Sequence, residues 1–340
     1  MARVVTFGEI MLRLSTTEYR RIVQADTFDV TYGGGEANVA CSLANYGVDV
    51  AFVSRVPDNP VGQSAVNHLR RYGVDTSYVQ LGGERLGIYF LETGASQRPS
   101  TVTYDRSYAS IAEVEAGSFD WPQIFAGAEW FHVSGITPAL GHGPAAATLD
   151  AAKAAKNLGL TVSCDLNYRK KLWSPAEASV TMTELMGYTD VVMANEEDAD
   201  KVFGIRATDA DVTQALIGQD AYCQVARELV ERFDLKMAAV TLRESISASD
   251  NGWSAVMYDG TTCSRSQRYP IHVVDRVGGG DAFGGGLIYA LLQGHSPELS
   301  LQFAVAASCL KHSIPGDFNH VSVSEVMTLM RGDASGRVQR

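Results

Sequence analysis

Long apolar runs are missing from this sequence of 340 residues, and no segment approaches the ~20 apolar residues that a membrane helix needs. The first stretch, MARVVTFGEIMLRL, is interrupted by Glu9 and Arg13 and has no small-residue cleavage site, so it does not predict a signal peptide. Internal repeats and low-complexity linkers are missing too. We therefore expect a cytoplasmic, globular protein with no membrane partner.

Cysteine is scarce and shows no paired spacing. The five cysteines are scattered, odd in number and form no C-x-x-C motif: Cys41, Cys164, Cys223, Cys263 and Cys309. This pattern predicts neither a structural zinc site nor a disulfide framework. It favours buried thiols in a reducing compartment.

Positive charge is also in short supply. The chain has 28 Lys and Arg against 39 Asp and Glu, a net charge of −11. Such a chain repels a phosphate backbone, which argues against nucleic acid as a partner. An anionic substrate must therefore be held by a local basic pocket. The 46% apolar composition, in contrast, is sufficient for a full hydrophobic core.

Short apolar runs of the strand type recur along the chain. They cover residues 4–7, 51–53, 130–133, 161–164, 191–194 and 238–242. An alanine-rich segment between the third and fourth runs predicts a helix that ends near Asn157 and Gly159. Repeated strand–helix–strand units with unalternated apolar strands predict an α/β fold, with a mostly parallel central sheet and helices on both faces.

Two segments break this rhythm. Residues 11–35 and 82–108 mix Thr, Tyr, Val and Phe with polar residues in a more alternating pattern, as strands with one wet face do. We predict that they form a small β-sheet lid on a single domain of residues 1–330. Residues 331–340 read as a polar tail.

The most informative segment is IHVVDRVGGGDAFGGGLIYALLQG, where an apolar strand meets Gly278, Gly279, Gly280 and Asp281 before a helical pattern begins. Glycines let the backbone turn sharply with bare N–H groups outward, and a helix N-terminus attracts anions. Such a site can hold the charge on a transferring phosphoryl group. The alternative is a tight turn in which Asp281 only caps the helix.

The helix after this turn is unusually rich in glycine. Gly284, Gly285 and Gly286 each cost about 1 kcal/mol relative to alanine in a helix interior, which predicts that another element approaches closely.

The sequence motifs of other phosphate-binding and nucleotide-binding proteins are missing. No Gly-Lys dipeptide exists for a Walker A loop, both glycine clusters fail the G-x-G-x-x-G spacing, and the His-Arg-Asp and Asp-Phe-Gly motifs of protein kinases are absent. A dehydrogenase is thereby disfavoured.

Asp275-Arg-Val-Gly-Gly-Gly-Asp281 resembles the signature D-[ST]-x-G-[AG]-G-D of the ribokinase-like (PfkB-type) carbohydrate kinases. Residues 32–40, YGGGEANVA, are similar to the sugar-binding motif G-G-x-x-x-N-x-A of the same family. The resemblance implies the three-layer ribokinase-like fold with a β-lid, ATP and Mg²⁺ as cofactors, and a homodimer or larger homo-oligomer. It also implies that Asp281 is the general base and that the amides of Gly278–Gly280 form the anion hole. A carboxylate at a helix N-terminus stays ionised at neutral pH and can accept a hydrogen bond.

Further site residues follow from the resemblance. Metal support falls to Asp198 or Glu197, because the N-x-x-E motif of the family appears here as Asn195–Asp198, although the same letters suit a helix start capped by Asn195. Asp275 matches a residue that helps to hold a monovalent cation in some members, but Arg276 replaces the usual Ser or Thr. The implied ATP contacts are Asn167, Asn195, Thr241, Arg243, Ser245, Gly278, Gly280 and His312.

Four segments resemble 2-keto-3-deoxygluconate kinases within the family: Gly-Ile-Tyr89-Phe, Tyr104-Asp-Arg106, Arg169-Lys-Lys-Leu-Trp173 and DRVGGGD. That substrate is phosphorylated to the 6-phosphate and carries a carboxylate, which arginine binds with a planar fork of donors. We therefore predict carboxylate binding by Arg106 and Arg169. The other predicted sugar contacts are Gly34, Gly35, Asn38, Tyr89, Tyr104, Asp281 and Asp317.

Alternatives to this interpretation remain. Arg106 could be a solvated lid residue and Arg169 a phosphate contact. A kinase for fructose or ribose would share every catalytic residue. A non-catalytic sugar or nucleotide sensor would keep the fold without turnover, but the intact glycine turn and Asp281 argue against it.

Overall fold

The computed structural model describes residues 3–207 and 219–332, so most of the predicted tail, residues 333–340, lies outside the described part. The strands are β1 Arg3–Phe7, β2 Met11–Thr16, β3 Phe28–Gly33, β4 Asp49–Val56, β5 Val79–Leu81, β6 Gly87–Glu92, β7 Thr101–Asp105, β8 Ala128–Ser134, β9 Thr161–Asp165, β10 Val191–Asn195, β11 Met237–Ser245, β12 Asp250–Tyr258, β13 Cys263–Arg265 and β14 Tyr269–His272. The helices are α1 Gly35–Asn45, α2 Pro60–Arg71, α3 Trp121–Ile124, α4 His142–Asn157, α5 Pro175–Met186, α6 Asp198–Phe203, α7 Gln219–Phe233, α8 Gly279–Leu292, α9 Pro297–Lys311 and α10 Val323–Met330.

One large sheet forms the centre of the molecule. Its order is β13-β12-β11-β10-β9-β8-β1-β4-β5, with β14 beside β12. The strands from β11 to β5 pair in parallel, and β12 to β14 add an antiparallel edge. All six apolar runs of the sequence lie in this sheet, and the alanine-rich segment is α4, which ends at Asn157. The predicted mostly parallel α/β sheet is confirmed.

Helices cover both faces of the sheet. Consecutive strand residues point to opposite faces, so Val192 packs in a core with α4 to α7 while Val191 and Met193 pack in a second core with α1, α2 and α8 to α10. Because both faces are buried, the strands need no apolar–polar alternation. The structure therefore has the three layers that the sequence pattern predicts.

A second, four-stranded sheet has the order β3-β2-β6-β7. Its two outer pairs are antiparallel and its central pair, β2 with β6, is parallel. It is formed by the two segments with the alternating pattern, and alternate residues of β6 are buried. Only Gly8, Glu9 and Ile10 separate β1 from β2, which brings this sheet to the carboxyl end of the central strands.

The glycines of α8 are explained by its neighbours. A Cβ on Gly285 would lie 2.6 Å from the Cβ of Ser42 in α1, and a Cβ on Gly286 would lie 3.1 Å from the Cα of Ala304 in α9. Real Cβ atoms rarely tolerate such contacts. The predicted close approach of another element is confirmed on two sides of the helix.

The expectation of unpaired thiols is wrong for two of the five cysteines. Cys223 in α7 and Cys263 in β13 form a disulfide, with Cα atoms 5.9 Å apart and a sequence separation of 40. Cys41, Cys164 and Cys309 are free. The pair forms because α7 packs against the antiparallel edge of the sheet, which no spacing rule for cysteines reveals. In the described ranges, no helix is long and apolar enough to cross a membrane.

Candidate active site

A cavity of about 350 Å³ lies at the carboxyl ends of the parallel strands, between the four-stranded sheet and the glycine turn that precedes α8. Open α/β sheets bind ligands at this edge. The cavity brings together most of the residues that the sequence predicts: Gly34, Gly35, Asn38, Tyr89, Tyr104, Arg106, Asn167, Arg169, Asn195, Asp198, Thr241, Arg243, Gly278, Gly279, Gly280, Asp281 and Asp317.

The glycine turn is built so that it can face an anion. Gly278 has a φ of +83°, and a Cβ there would lie 2.0 Å from the carbonyl oxygen of Asp317, so only glycine fits. A Cβ on Gly280 would meet no atom within 4 Å, because this residue faces the open cavity. The turn leads into the 14 residues of α8, whose dipole and first N–H groups favour negative charge at this point.

Asp281 lies in the first turn of α8 and is held by a side chain from α1. The Nδ2 of Asn38 donates to its Oδ2 at 2.6 Å, and the Oδ1 of Asn38 accepts from the N–H of Gly34 at 3.3 Å. Burial raises the pKa of Asp281 to about 6, with the Asn38 hydrogen bond acting against the increase and Asp317 adding to it. The carboxylate is thus mostly ionised at neutral pH, as expected, although its pKa lies above the ordinary value.

A buried glutamate that the sequence analysis did not single out lies next to this pair. The Oε1 of Glu36 accepts hydrogen bonds from the N–H and Oγ of Ser134 and from the Oγ1 of Thr137, all at 2.7–2.8 Å. Burial raises the pKa of Glu36. Because Glu36 is in α1 and Ser134 ends β8, these bonds fix α1, and with it Asn38, against the strand ends. The signal was its place inside the G-G-x-x-x-N motif.

Arg106 faces the cavity from the loop after β7, and it already has an acidic partner. Its Nη2 contacts Glu9 Oε2, and both side chains are almost fully buried. Its guanidinium also lies over the ring of Tyr104, 5.3 Å from the centroid. The Arg106 Nε and the second oxygen of Glu9 have no protein partner. The guanidinium therefore keeps one buried donor without an acceptor in the protein, an arrangement that costs free energy.

Arg169 lies among three carboxylates. Asp165, Asp198 and Asp281 are its acidic neighbours at the ends of β9 and β10 and at the start of α8. Burial raises the pKa of Asp165 well above its ordinary value, and Asp198 and Asp281 add to the increase while Arg169 opposes it. Asp165 lines the cavity, although the sequence analysis did not select it.

Asp198 binds two backbone amides. Its Oδ1 accepts from the N–H of Tyr168 at 3.1 Å and its Oδ2 from the N–H of Asn195 at 3.0 Å. The Oδ1 of Asn195 in turn accepts from the N–H groups of Glu197 and Asp198. The N-cap residue of α6 is Glu197, without a side-chain capping bond, so the expectation that Asn195 caps this helix is wrong. Asn195 closes the turn before α6, and Asp198 joins the ends of β9 and β10.

Tyr89 and Asp317 form one buried network with two residues outside the cavity. The Tyr89 hydroxyl donates to Asp317 Oδ2 at 2.5 Å, and Arg13 in β2 donates to Asp317 Oδ1 at 2.5 Å. Arg13 also contacts Asp275. Arg13 appeared in the sequence only as an interruption of an apolar stretch, so its role in linking the lid sheet to the loop after α9 was missed.

Four predicted site residues do not line the cavity. Ser245 is exposed at the end of β11, and Glu197 points to solvent. His312 is buried beneath the turn, where a Cβ on Gly279 would lie 2.5 Å from its ring. Asp275 is also buried, and its oxygens accept from Arg13 and from the N–H groups of Val277 and Gly316.

The end of the cavity near Arg243, where the sequence predicts ATP contacts, has more basic character than predicted. Arg276 lines the cavity beside Arg243, and the guanidinium of Arg243 lies over the ring of Trp253 at 5.5 Å from its centroid. Trp253 in turn packs against His312, with centroids 5.0 Å apart. His312 thus supports the aromatic wall from behind.

The fold and this cavity define an α/β enzyme in which a glycine turn and a carboxylate meet at a helix N-terminus under a β-sheet cover. The family model described as pfkB family carbohydrate kinase matches residues 1–230 and 243–319. The chain belongs to this family, and it is a carbohydrate kinase.

Individual relatives match over nearly the whole chain. The solved structure of 2-dehydro-3-deoxygluconokinase from Thermotoga maritima has a TM-score of 0.94 and 51% identity, covering 98% of this chain and 100% of that one. The 2-dehydro-3-deoxygalactonokinase of Haloferax volcanii is 33% identical over 336 residues, 98% of each chain. The 2-dehydro-3-deoxygluconokinase of Bacillus subtilis is 28% identical over 324 residues, 94% of this chain and 93% of the relative.

Proposed function

We propose that this kinase transfers the γ-phosphoryl group of ATP to the 6-hydroxyl of 2-keto-3-deoxygluconate or of its galactonate epimer. The observation that carries the proposal is that Arg106 and Arg169 line the same cavity as Asp281. A guanidinium has five N–H donors and can bind a carboxylate through two parallel hydrogen bonds, so Arg106 can keep its contact with Glu9 while it binds a substrate acid. The relatives are named as kinases of deoxy keto-sugar acids, which supports the same substrate class.

Asp281 acts as the general base in this proposal. A carboxylate with a pKa of about 6 is mostly ionised at neutral pH and still basic enough to accept the proton of a positioned hydroxyl. Asn38 holds one of its oxygens, which leaves Oδ1 to face the acceptor. The N–H groups of Gly278–Gly280 at the start of α8 stabilise the charge that develops on the transferring group.

The nucleotide fits the other end of the cavity. Gly280 leaves open space at the helix N-terminus, and Arg243 and Arg276 supply positive charge beside it. Asn195 at the end of β10 and Thr241, which lies level with it in the middle of β11, complete the proposed nucleotide contacts. When bound, ATP supplies the phosphoryl group, and the residues of this chain orient it and exclude water.

Mg²⁺ is expected to enter with the nucleotide. Among the residues that the structure describes, no group of three or more His, Cys, Asp or Glu side chains could hold a metal by itself. This suits Mg²⁺, which keeps several waters and is bound by substrate phosphates together with one or two carboxylates. Asp198 and Asp165 line the cavity and could support its water shell, whereas Glu197 points to solvent.

A homo-oligomer that associates through the lid sheet and works in the cytoplasm completes the proposal. The outer strands of that sheet, β3 and β7, have free edges that invite pairing. Val30 in β3 is 60% exposed, so this edge presents an apolar side chain to a partner strand. The cytoplasmic location is inferred from the use of ATP.

A coupled ADP-release assay tests the substrate. It compares keto-deoxygluconate, keto-deoxygalactonate, fructose, ribose and adenosine at saturating MgATP. We expect the highest kcat/KM for one of the two acids. A preference for fructose or ribose would contradict the acidic substrate and leave the kinase assignment intact, whereas sugar binding without turnover would favour a sensor.

A further inference from the structure

A fully buried lysine lies behind the glycine turn. Lys311 is the last residue of α9, and its Nζ donates to the carbonyl oxygens of Ile314 at 3.2 Å and Gly316 at 2.6 Å. Burial lowers the pKa of its ammonium, while the charges of Asp275 and Asp317 act in the opposite direction. Lysine is almost never fully buried unless it is paired, so this position requires an explanation.

The surroundings of Lys311 are oxygen atoms of the kind that bind alkali cations. Two carbonyl oxygens point at its Nζ, and the carboxylate of Asp275 lies beside them and accepts from the N–H of Gly316 at 3.0 Å. Asp275 is the residue for which the sequence suggested a monovalent cation. However, Arg13 contacts both Asp275 and Asp317, so two acids already face two basic side chains. A further cation does not fit this cluster.

We propose that the ammonium of Lys311, together with Arg13, takes the place of a monovalent cation, so that this kinase works without one. Lys311 is then a positioning residue for the loop 314–317. This inference rests on the proposed function of the cavity. It explains how the loop that supports the glycine turn is held in place.

The loop that Lys311 holds is in direct contact with the turn. Gly316 is followed by Asp317, whose carbonyl oxygen occupies the space where a side chain of Gly278 would be. The side chain of Asp317 reaches the cavity from the same loop. If the loop loses its anchor, the amide of Gly278 and the carboxylate of Asp317 both shift. A misplacement of about 1 Å in such a site can cost on the order of 100-fold in rate.

The first experiment uses the unmodified protein. Activity and Tm are measured in K⁺ and in tetramethylammonium at equal ionic strength and constant Mg²⁺. We expect kcat to differ by less than about twofold and Tm to be unchanged, because an ion that does not bind the folded state cannot stabilise it. Activation by K⁺, or a Tm that rises with K⁺, would overturn the proposal. The Tm comparison needs no sugar, so it remains informative if none of the tested acids is a substrate.

The second experiment removes the ammonium. Lys311→Met keeps the length of the side chain, and Lys153→Met, at an exposed lysine that pairs with Glu184, is the matched control. We expect kcat of Lys311→Met to fall on the order of 10- to 100-fold and the control to be unchanged. Lys311→Ala vacates the space of the side chain, and an open cavity lined by Arg13, Asp275 and Gly316 gives ions access to the cluster. K⁺ or NH₄⁺ should therefore partly restore kcat and raise Tm in Lys311→Ala, but not in Lys311→Met, whose methyl group fills the place of the ammonium.

Two results would count against the proposal. An unchanged kcat in Lys311→Met would remove the positioning role. A loss in Lys311→Ala that neither K⁺ nor NH₄⁺ reverses would mean that the ammonium contributes ordinary packing and does not replace a cation. Lys311→Gln is the second variant if Lys311→Met does not fold, and the comparison of cations in the unmodified protein decides the question of cation dependence without either.

Discussion

At the scale of single residues, Asp281 shows how the proposed catalytic role opposes stability. Its pKa of about 6 in the folded protein is above its ordinary value of 3.8. Burial therefore makes ionisation of this carboxyl group less favourable in the folded protein than in the unfolded chain. The folded state therefore binds protons more tightly than the unfolded chain between these two values. The contribution of this group to the free energy of unfolding is largest at low pH, and it is lost as the pH rises through about 6.

Asp281→Asn should therefore separate activity from stability. We expect kcat to fall ~10²- to 10⁴-fold, because the proposed base is lost. Tm should rise relative to the unmodified protein at pH 8 and change less at pH 5, where the carboxyl group is already mostly protonated. Steady-state kinetics and thermal melts at both pH values check this. Near-normal turnover of the folded variant would remove Asp281 from the role of base.

The pH profile of the unmodified protein gives a related test. Because Asp281 must be ionised to accept a proton, kcat/KM should fall as the pH decreases through about 6. The decrease belongs to the free enzyme, so it is read from kcat/KM and not from kcat. A profile that is flat between pH 5 and 8 would contradict the assignment.

Arg106 can be tested only together with its partner. Removing it alone would leave the buried carboxylate of Glu9 unpaired, a change that often costs 3–5 kcal/mol in stability. We therefore compare Glu9→Gln with Glu9→Gln/Arg106→Leu. The loss of the guanidinium should lower kcat/KM for the acidic sugar, by an amount that corresponds to about 2–4 kcal/mol of transition-state binding. The kcat/KM for a neutral ketose should change much less. Arg85→Leu, in an exposed pair with Asp105, is the control. An unchanged ratio of acidic to neutral activity would contradict carboxylate binding by Arg106.

Asp198 and Glu197 form a natural matched pair for the metal. Asp198→Ala should raise the Mg²⁺ concentration needed for half-maximal activity more than it raises KM for the sugar. It should also lower Tm, because the amides of Tyr168 and Asn195 lose their acceptor. Glu197→Ala should change neither property, since this side chain points to solvent. A Mg²⁺ effect in Glu197→Ala alone would mean that the wrong carboxylate has been chosen.

At the scale of secondary-structure elements, α8 allows the same substitution to probe two different properties. Alanine at Gly280 meets no atom within 4 Å but protrudes into the proposed nucleotide end of the cavity, so KM for ATP should rise while stability is kept or gains up to about 1 kcal/mol. Alanine at Gly285 meets Ser42 in α1 and should lower the free energy of unfolding by about 1–3 kcal/mol. Denaturant melts and ATP titrations separate the two effects. Equal effects at both sites would contradict this view of the helix.

The strands and helices that position the site could be predicted because local patterns encode them. The six parallel strands from β11 to β4 are buried on both faces and contain the apolar runs, whereas the short, partly exposed strand β5 was not predicted. The glycines of α8 mark its contacts with α1 and α9. The antiparallel edge from β12 to β14 was not predicted. Only β12 pairs with β11, and β13 and β14 join the sheet through β12, pairings that no local pattern specifies.

Contacts between distant residues limit what the sequence can say about the site. The glycine turn and Asp281 form a local motif and could be recognised directly. The pairing of Arg13 with Asp317 joins residues 304 positions apart, and that of Arg106 with Glu9 joins residues 97 apart. Each of these charged residues looks like a solvated side chain when read alone. Their burial follows only from the docking of the lid sheet on the central domain.

At the scale of the whole molecule, the disulfide ties the edge of the central sheet to the helix layer. Cys223 belongs to α7 and Cys263 to β13, and neither lines the cavity. Closing a loop of 40 residues restricts the unfolded chain and is worth about 2–4 kcal/mol in the chain-entropy model. Loss of the bond should therefore lower stability and leave kcat unchanged.

Thiol titration and melting together test this prediction. The denatured protein should titrate three thiols without reductant and five after reduction, because Cys41, Cys164 and Cys309 are free. Cys263→Ser should lower Tm to the value of the reduced protein, whereas Cys309→Ser, which removes a free thiol, should not. Neither variant should alter kcat, because the two positions lie away from Asp281 and the glycine turn. Five thiols without reductant would instead support the expectation from the cysteine spacing that all five remain reduced.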